Sequence, residues 1–171
     1  MLPPMLIFKG ATNGCIANRE FGTYPDPGHY GCQKKAWMDE EMMHTWIDLV
    51  LVPWRQTTMP GIVPLLILNA YQVHMMGNIV NRIQSLGIEV VHIPPGCTYL
   101  CQPVDVRINK SLKSRMCEKW ENWMVTGEGI VNGAAKEPTR QLVAEWAVEV
   151  YKNLPVQTVR NAWMKTGFEW Y

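Results

Sequence analysis

The pattern of apolar and polar residues predicts alternating strands and helices in the first two thirds of the chain. Short, continuous apolar runs predict strands at residues 2–8, 64–68 and 89–93. The last two runs lack polar alternation, which is typical of strands covered on both faces in a parallel sheet. A helical apolar pattern occupies residues 79–86, and Gly87 ends it. A strand, a helix and a strand at this spacing predict a right-handed crossover unit.

Further helices are predicted on either side of this unit. Asp39 caps an amphipathic helix, which Pro53 is expected to end. A long helix begins at Gln102, and two more follow at residues 138–154 and 155–168. The order of these elements predicts an α/β domain with a helical C-terminal cover.

Two segments rich in turn-forming residues separate these elements. Residues 10–35 contain many Gly, Asn and Pro residues, and are expected to form turns around short strands at residues 15–17 and 29–33. Residues 127–136 are expected to be a flexible connection before the last two helices.

Composition narrows the class of protein only in part. The chain has 171 residues, of which 47% are hydrophobic, so it suits one ordinary domain with a core, and it has no apolar run that spans a membrane. Its 16 basic and 15 acidic residues leave a net charge of +1, so only a local basic patch would indicate a polyanionic partner. Five irregularly spaced cysteines indicate reduced thiols in an intracellular protein, and Cys97 and Cys101 lack the second Cys or His pair of a zinc site.

Asn69 and Asp105 are the candidate site residues. Asn69 follows the strand at 64–68, and Asp105 lies at the start of the long helix, 36 positions later. Ligands of open α/β sheets bind beyond the carboxyl ends of the strands, so both side chains are predicted to face one crevice. Two carboxylates placed in this way hold divalent metal ions, but Asn69 is an amide and brings no charge. The alternative is that Asn69 is only a strand-end turn residue and Asp105 only a first-turn helix acid.

Several separated segments resemble one family of proteins. They resemble the pogo and Tigger type of DDE superfamily endonuclease domain, the catalytic domain of mariner-like transposases. The resemblance covers nearly the whole chain, and its segments occur in the order of the family. The matching segments are Leu65–His74, Ile93–Asp105, Ile108–Lys113, Ile7–Gly10, Gln33–Glu40, Trp46, Pro53–Trp54 and Val159–Phe168.

The resemblance implies a fold and a division of the chain. It implies an α/β, RNase H-like mixed sheet with flanking helices and a helical C-terminal cover, lacking the first strand or strands. Residues 1–126 would form the partial endonuclease domain, 127–137 a linker, and 138–171 the C-terminal helices of the same domain. Such a domain would act in the nucleus. A sheet without its first strands would expose an edge and an apolar face, so self-association is also expected.

The resemblance also implies a metal site, from which this sequence departs. In the family, two aspartates and a third acid hold two Mg²⁺ or Mn²⁺ ions for phosphoryl displacement. The first aspartate would lie on a strand before residues 2–10, Asn69 stands at the second position, and Asp105 matches the third. Arg107 adds a positive charge where the family has glycine, and would ion-pair with Asp105 or contact phosphate. We therefore expect a DNA-binding domain that does not cleave. The alternatives are an active nuclease completed by an upstream segment, and a protein-interaction module.

DNA contacts are expected on one side of this site. Lys9, His74, Arg107, Lys110 and Lys113 are the candidate nucleic-acid contacts, with Arg115 and Lys119 in the same basic strip. A solvated helix surface explains the strip equally well, and His74 is also explained as a structural hydrogen-bonding residue. The tryptophans of the helices are interpreted as core rather than as base-stacking platforms.

Overall fold

The computed structural model describes residues 2–57 and 61–167, and the chain divides into two compact units. The first unit comprises Met1–Gly22 and Pro27–Gln102. The second unit comprises Thr23–Asp26 and Pro103–Tyr171.

The first unit contains short strands and helices in alternation. Its strands and helices are, in chain order, β1 (Met5–Lys9), α1 (Cys15–Arg19), β2 (His29–Gln33), α2 (Glu40–Trp46), a π-helical turn (Ile47–Leu51), α3 (Val52–Thr57), β3 (Leu65–Asn69), α4 (Gly77–Ser85), β4 (Glu89–Ile93) and α5 (Thr98–Cys101). Short 3₁₀ turns lie at Phe21–Thr23 and Gln72–Met75. Two parallel pairs result, β1 with β2 and β3 with β4. The predicted strand–helix–strand crossover is confirmed, with Leu66 opposite Val90.

The core of this unit lies between the helices and one face of the β3–β4 pair. Its buried side chains include Met43, Ile47, Leu51, Leu68, Val73, Ile79, Ile83 and Ile88. Leu66 and Val90 pack against this cluster from the strands. Leu65 on the opposite face is 52% exposed and Val91 is 46% exposed. The prediction that both faces of these strands are covered was therefore wrong at Leu65 and Val91, although Ile93, on the same face at the end of β4, is buried.

Two further predictions in this unit were wrong, one of an element type and one of a helix end. Residues 15–17 form part of helix α1 rather than a strand, since the chain after Gly14 makes local helical hydrogen bonds such as Asn18 N to Gly14 O at 3.1 Å. Pro53 does not end the helix that Asp39 caps. The wider π-helical turn at Ile47–Leu51 precedes the proline, and the helical path continues through α3.

The second unit is mainly helical. Its elements are a π-helical turn (Val104–Ile108), α6 (Asn109–Val125), β5 (Ile130–Val131), β6 (Ala134–Ala135), α7 (Arg140–Lys152) and α8 (Val156–Lys165). The predicted long helix and the two later helices are confirmed, although Phe168, the expected end of the last helix, lies outside the described residues. Residues 130–135, expected to be part of a flexible connection, form a hairpin. Asn132 and Gly133 both have positive φ angles, as a two-residue hairpin turn requires.

The tryptophans divide between core and surface. Trp123 of α6 and Trp146 of α7 are buried and meet edge to face with 5.8 Å between ring centroids, so the prediction of core packing is confirmed for these two. For Trp37 and Trp120 it was wrong, since both are largely exposed. The chain as a whole is a mixed α/β protein with small sheets.

Candidate functional site

Asn69 ends strand β3, and its side chain is held by the turn that follows. The amide oxygen Oδ1 accepts a hydrogen bond from the backbone N–H of Tyr71 at 3.3 Å and lies 2.7 Å from Nδ1 of His74. An amide oxygen has two lone pairs, and these two contacts occupy both. Asn69 therefore closes a local Asx-type turn at the carboxyl end of the strand.

These contacts place a proton on Nδ1 of His74. Because Oδ1 of Asn69 is an acceptor, Nδ1 of His74 carries the proton and donates it. Burial lowers the pKa of His74, the hydrogen bond to the backbone of Asn69 opposes this, and the charge of His92 lowers the pKa further. Nε2 of His92 donates to the backbone oxygen of His74 at 2.9 Å, so strand β4 also holds the turn.

Tyr71 ties the same turn to the start of helix α2. Its hydroxyl donates to the backbone oxygen of Met38 at 3.0 Å. Its ring packs edge to face with His74, with 5.5 Å between centroids, and lies 6.5 Å from the ring of Trp37. The segment from Asn69 to His74 is therefore braced from three sides rather than being a free loop.

Asp105 lies in a π-helical turn that leads into helix α6, where the sequence predicted the start of the long helix. Its Oδ1 accepts a hydrogen bond from the side-chain amide of Asn109 at 2.8 Å, and the carboxylate is exposed. Within residues 2–57 and 61–167, Asp105 and Arg107 form no ion pair. The ion pair that was expected between Arg107 and Asp105 is therefore not formed. The other expected role of Arg107, contact with phosphate, stays a prediction. Wider π-helical turns occur frequently at functional sites, and the match of Asp105 to an acid of the family stays a prediction.

The described residues do not fit the metal pair that the resemblance implies. The oxygen of Asn69 is uncharged and already accepts two hydrogen bonds. In the described part of the chain, no three or more His, Cys, Asp and Glu side chains are grouped so as to hold a metal ion. Hard divalent ions depend on several anionic oxygens. Asn69 belongs to the first unit and Asp105 to the second, so their placement in one crevice stays a prediction.

The predicted DNA-contacting residues fall in both units. Lys9 is exposed at the end of β1, and His74 is half-buried beside Asn69. Arg107 and Lys110 line a groove between the start of α6 and helix α8, whereas Lys113 does not. Residues not singled out in the sequence also line this groove, namely Val106, Ser111, Ser114, Glu118, Thr158 and Lys165. In the sequence, polar residues recur every three or four positions from 107 to 118. This spacing places them on one face of a helix and could have identified this side of the groove.

Comparison with known proteins shows the family to which the chain belongs. The model of the DDE superfamily endonuclease family matches residues 1–163. The chain belongs to the DDE superfamily endonuclease family. Within it, the resemblance to the pogo type is confirmed by two similar proteins, each a pogo transposable element with KRAB domain. The human protein is 28% identical over 96% of this chain, and the mouse protein is 27% identical over the same share.

A third relative is more distant. The human pogo transposable element with ZNF domain is 21% identical over 88% of this chain and 10% of its own length. The chain spans about a quarter of the length of the two KRAB-containing relatives, at 26% of each. No solved structure matches the chain. Among the described residues, no helix combines the length and the apolar character needed to cross a membrane.

Proposed function

We propose that this chain is a transposase-derived, RNase H-like domain that binds DNA through its phosphates and does not cut it. The loss of cleavage is proposed from the chemistry and the contacts of the Asn69 side chain. It stands where the family has an aspartate, it has no charge, and its oxygen is occupied by Tyr71 and His74. As DNA is the proposed partner, the proposed compartment is the nucleus.

The loss of cleavage follows from the charge that a metal pair requires. Two divalent ions hold the attacking and leaving oxygens of a phosphodiester in line, and their binding depends on neighbouring carboxylates. Asn69 removes one negative charge from that set. Arg107 adds a positive charge two residues after Asp105, and that charge disfavours a cation there.

The retention of DNA binding is supported by a different part of the chain. Arg107 is exposed in the π-helical turn before α6 and Lys110 is exposed at the start of α6, and neither has an ion-pair partner in the residues that the structure describes. Unpaired cations of this kind neutralise phosphates and release counterions without reading sequence. Binding without sequence preference is therefore proposed.

A second candidate function is self-association through the exposed face of the β3–β4 pair. Leu65 and Val91 are each about half exposed on that face, at 52% and 46%. An apolar strand face of this kind is a protein-interaction surface when it is large enough. Sedimentation at several protein concentrations distinguishes the two functions, because only self-association makes the mass concentration-dependent. A Val91→Gln variant, which makes this face polar without adding charge, is expected to weaken self-association and leave DNA affinity intact.

The proposal is tested by two titrations of the purified chain. Fluorescence anisotropy with a short labelled duplex is expected to show binding that weakens steeply as salt is raised and that is the same for unrelated sequences. Calorimetric titration with Mn²⁺ is expected to show no binding. Absence of DNA binding at low salt would contradict the first half of the proposal, and saturable binding of Mn²⁺ would contradict the second.

A further inference from the structure

The second unit contains a groove whose lining is strongly basic. The groove has a volume of about 660 Å³ and runs between the start of α6 and helix α8. Four cations line it, and Glu118 is its one carboxylate. The four cations are Arg107, Lys110, Arg115 and Lys165. The lining therefore carries a formal charge of +3, from four positive charges and one negative, although the whole chain carries only +1.

These cations are available to a ligand. None of the four forms an ion pair with another residue in ranges 2–57 and 61–167. Lys119, which lies nearby in the basic strip, differs in this respect because its ammonium group pairs with Glu149. The groove thus collects unpaired positive charge, whereas the neighbouring cation of the same helix is neutralised.

Hydroxyl groups lie between the cations. Ser111 and Ser114 of α6 and Thr158 of α8 line the same groove. Ser114 lies 3.5 Å from a carboxylate oxygen of Glu118, whereas no described residue bonds the hydroxyl of Ser111 or Thr158. Serine and threonine hydroxyls with lysine and arginine are the usual side-chain partners of phosphate oxygens in complexes with nucleic acids.

The length of the groove suits a chain of phosphates better than one phosphate. From Arg107 to Glu118 the helix rises about 16 Å, at about 1.5 Å per residue. Along the axis of a duplex that length spans about five base pairs, at about 3.4 Å each, so more than one phosphate of a strand lies within it. Arg107 lies at one end and Arg115 near the other, so the cations are spread along this length.

We propose that the groove between α6 and α8 is the surface that holds the sugar–phosphate backbone of DNA, with Arg115 and Lys165 as phosphate-binding residues. This rests on the proposed DNA-binding function and narrows it to one surface. It also separates residues of the basic strip from one another. Arg107, Lys110 and Arg115 contact phosphates, whereas Lys113, which lies outside the groove lining, does not.

A pair of matched double variants tests the groove. Arg115→Gln with Lys165→Gln removes two charges from the lining, one on α6 and one on α8. Lys113→Gln with Arg160→Gln removes two exposed charges from the same helices outside the lining. Anisotropy with a short labelled duplex is expected to show that the first variant loses about 10-fold or more in affinity and that its salt slope falls by about 1.8, since each phosphate contact contributes about 0.9. The control variant is expected to match the unmodified chain.

The outcomes separate this inference from the proposed function. Absence of DNA binding by the unmodified chain would overturn both. Binding by the unmodified chain that falls equally in both double variants, or only in the control variant, would overturn the groove alone. Tighter binding to vesicles of anionic phospholipid than to the duplex at equal salt would also overturn it. Arg115→Lys with Lys165→Arg keeps the charge and is expected to keep the affinity, and thermal melts of all variants establish that each is folded.

Discussion

The amide oxygen of Asn69 lies 2.7 Å from Nδ1 of His74, and this contact joins the end of strand β3 to the turn that follows it. An aspartate at this position would offer the same geometry together with a negative charge. The asparagine keeps the hydrogen bond and removes the charge. An asparagine therefore holds this turn as an aspartate would, without a charge that could bind a cation.

The first prediction concerns the Asn69→Asp variant. A carboxylate beside Nδ1 stabilises the imidazolium, so the pKa of His74 is expected to rise from its lowered value in the unmodified chain. NMR titration of the histidine ring signals measures the change. Asn13→Asp adds the same charge in an exposed loop and is expected to leave the His74 titration where it was. An unchanged titration in Asn69→Asp would show that the contact is absent in solution.

The second prediction concerns the stability of the chain against acid. Burial, the largest cause, lowers the pKa of His74 below 6.5, so the folded state binds fewer protons than the unfolded state in that range. This stability is present in full above pH 6.5 and is lost as the pH falls below it. Thermal melts from pH 7.5 to 5 are expected to show a declining Tm, and His74→Gln is expected to reduce that decline. An identical decline in both proteins would contradict the assignment to His74.

The third prediction concerns the start of helix α2. Oδ1 of Asp39 accepts a hydrogen bond from the backbone N–H of Met42 at 3.0 Å. Asp39→Ala is expected to lower the free energy of unfolding by about 1 kcal/mol, because a helix N–H loses its cap. Asp39→Asn keeps an equivalent cap and is expected to stay close to the unmodified chain. Chemical denaturation measures both, and equal stability of the two variants would contradict the cap.

Truncation is expected to cost more on the core side of the β3–β4 pair, where Ile79 of helix α4 packs, than on the side where Val91 lies. Ile79 is fully buried against the core, whereas Val91 is 46% exposed. Ile79→Ala is expected to cost about 2–5 kcal/mol through lost burial and a cavity, and Ile79→Val about 0.5–1.5 kcal/mol. Val91→Ala is expected to cost far less. A similar cost for Ile79→Ala and Val91→Ala, measured by chemical denaturation, would show that the exposed face is covered in solution.

The sequence predicted those elements whose signals are local. Asp39 marked the start of a helix, and the apolar runs around Ile79 marked the crossover, because capping and periodicity act over a few residues. Pro53 misled the prediction because a wider helical turn precedes it. The exposed face of Leu65 was missed because a continuous apolar run does not show which of its faces another element covers.

The site was predictable only as far as the resemblance reached. Asn69 and Asp105 were singled out as candidates from their positions after a strand and at a helix start, and the resemblance assigned them to the metal site of the family. The bond between Asn69 and His74 depends on the path of the turn, which spacing alone does not fix. Lys165 was missed because it joins Arg107 only through the packing of α8 beside the start of α6, some 58 positions away in the chain.

We propose that this DDE-type domain binds DNA without cutting it. The most direct test is incubation of supercoiled plasmid with enough protein to bind all of it, with Mg²⁺ or Mn²⁺ and with a chelator as the control. We expect the plasmid to stay supercoiled in every case while its mobility before deproteinisation shows that it is bound. Nicked or linear plasmid that forms with metal and not with chelator would contradict the claim.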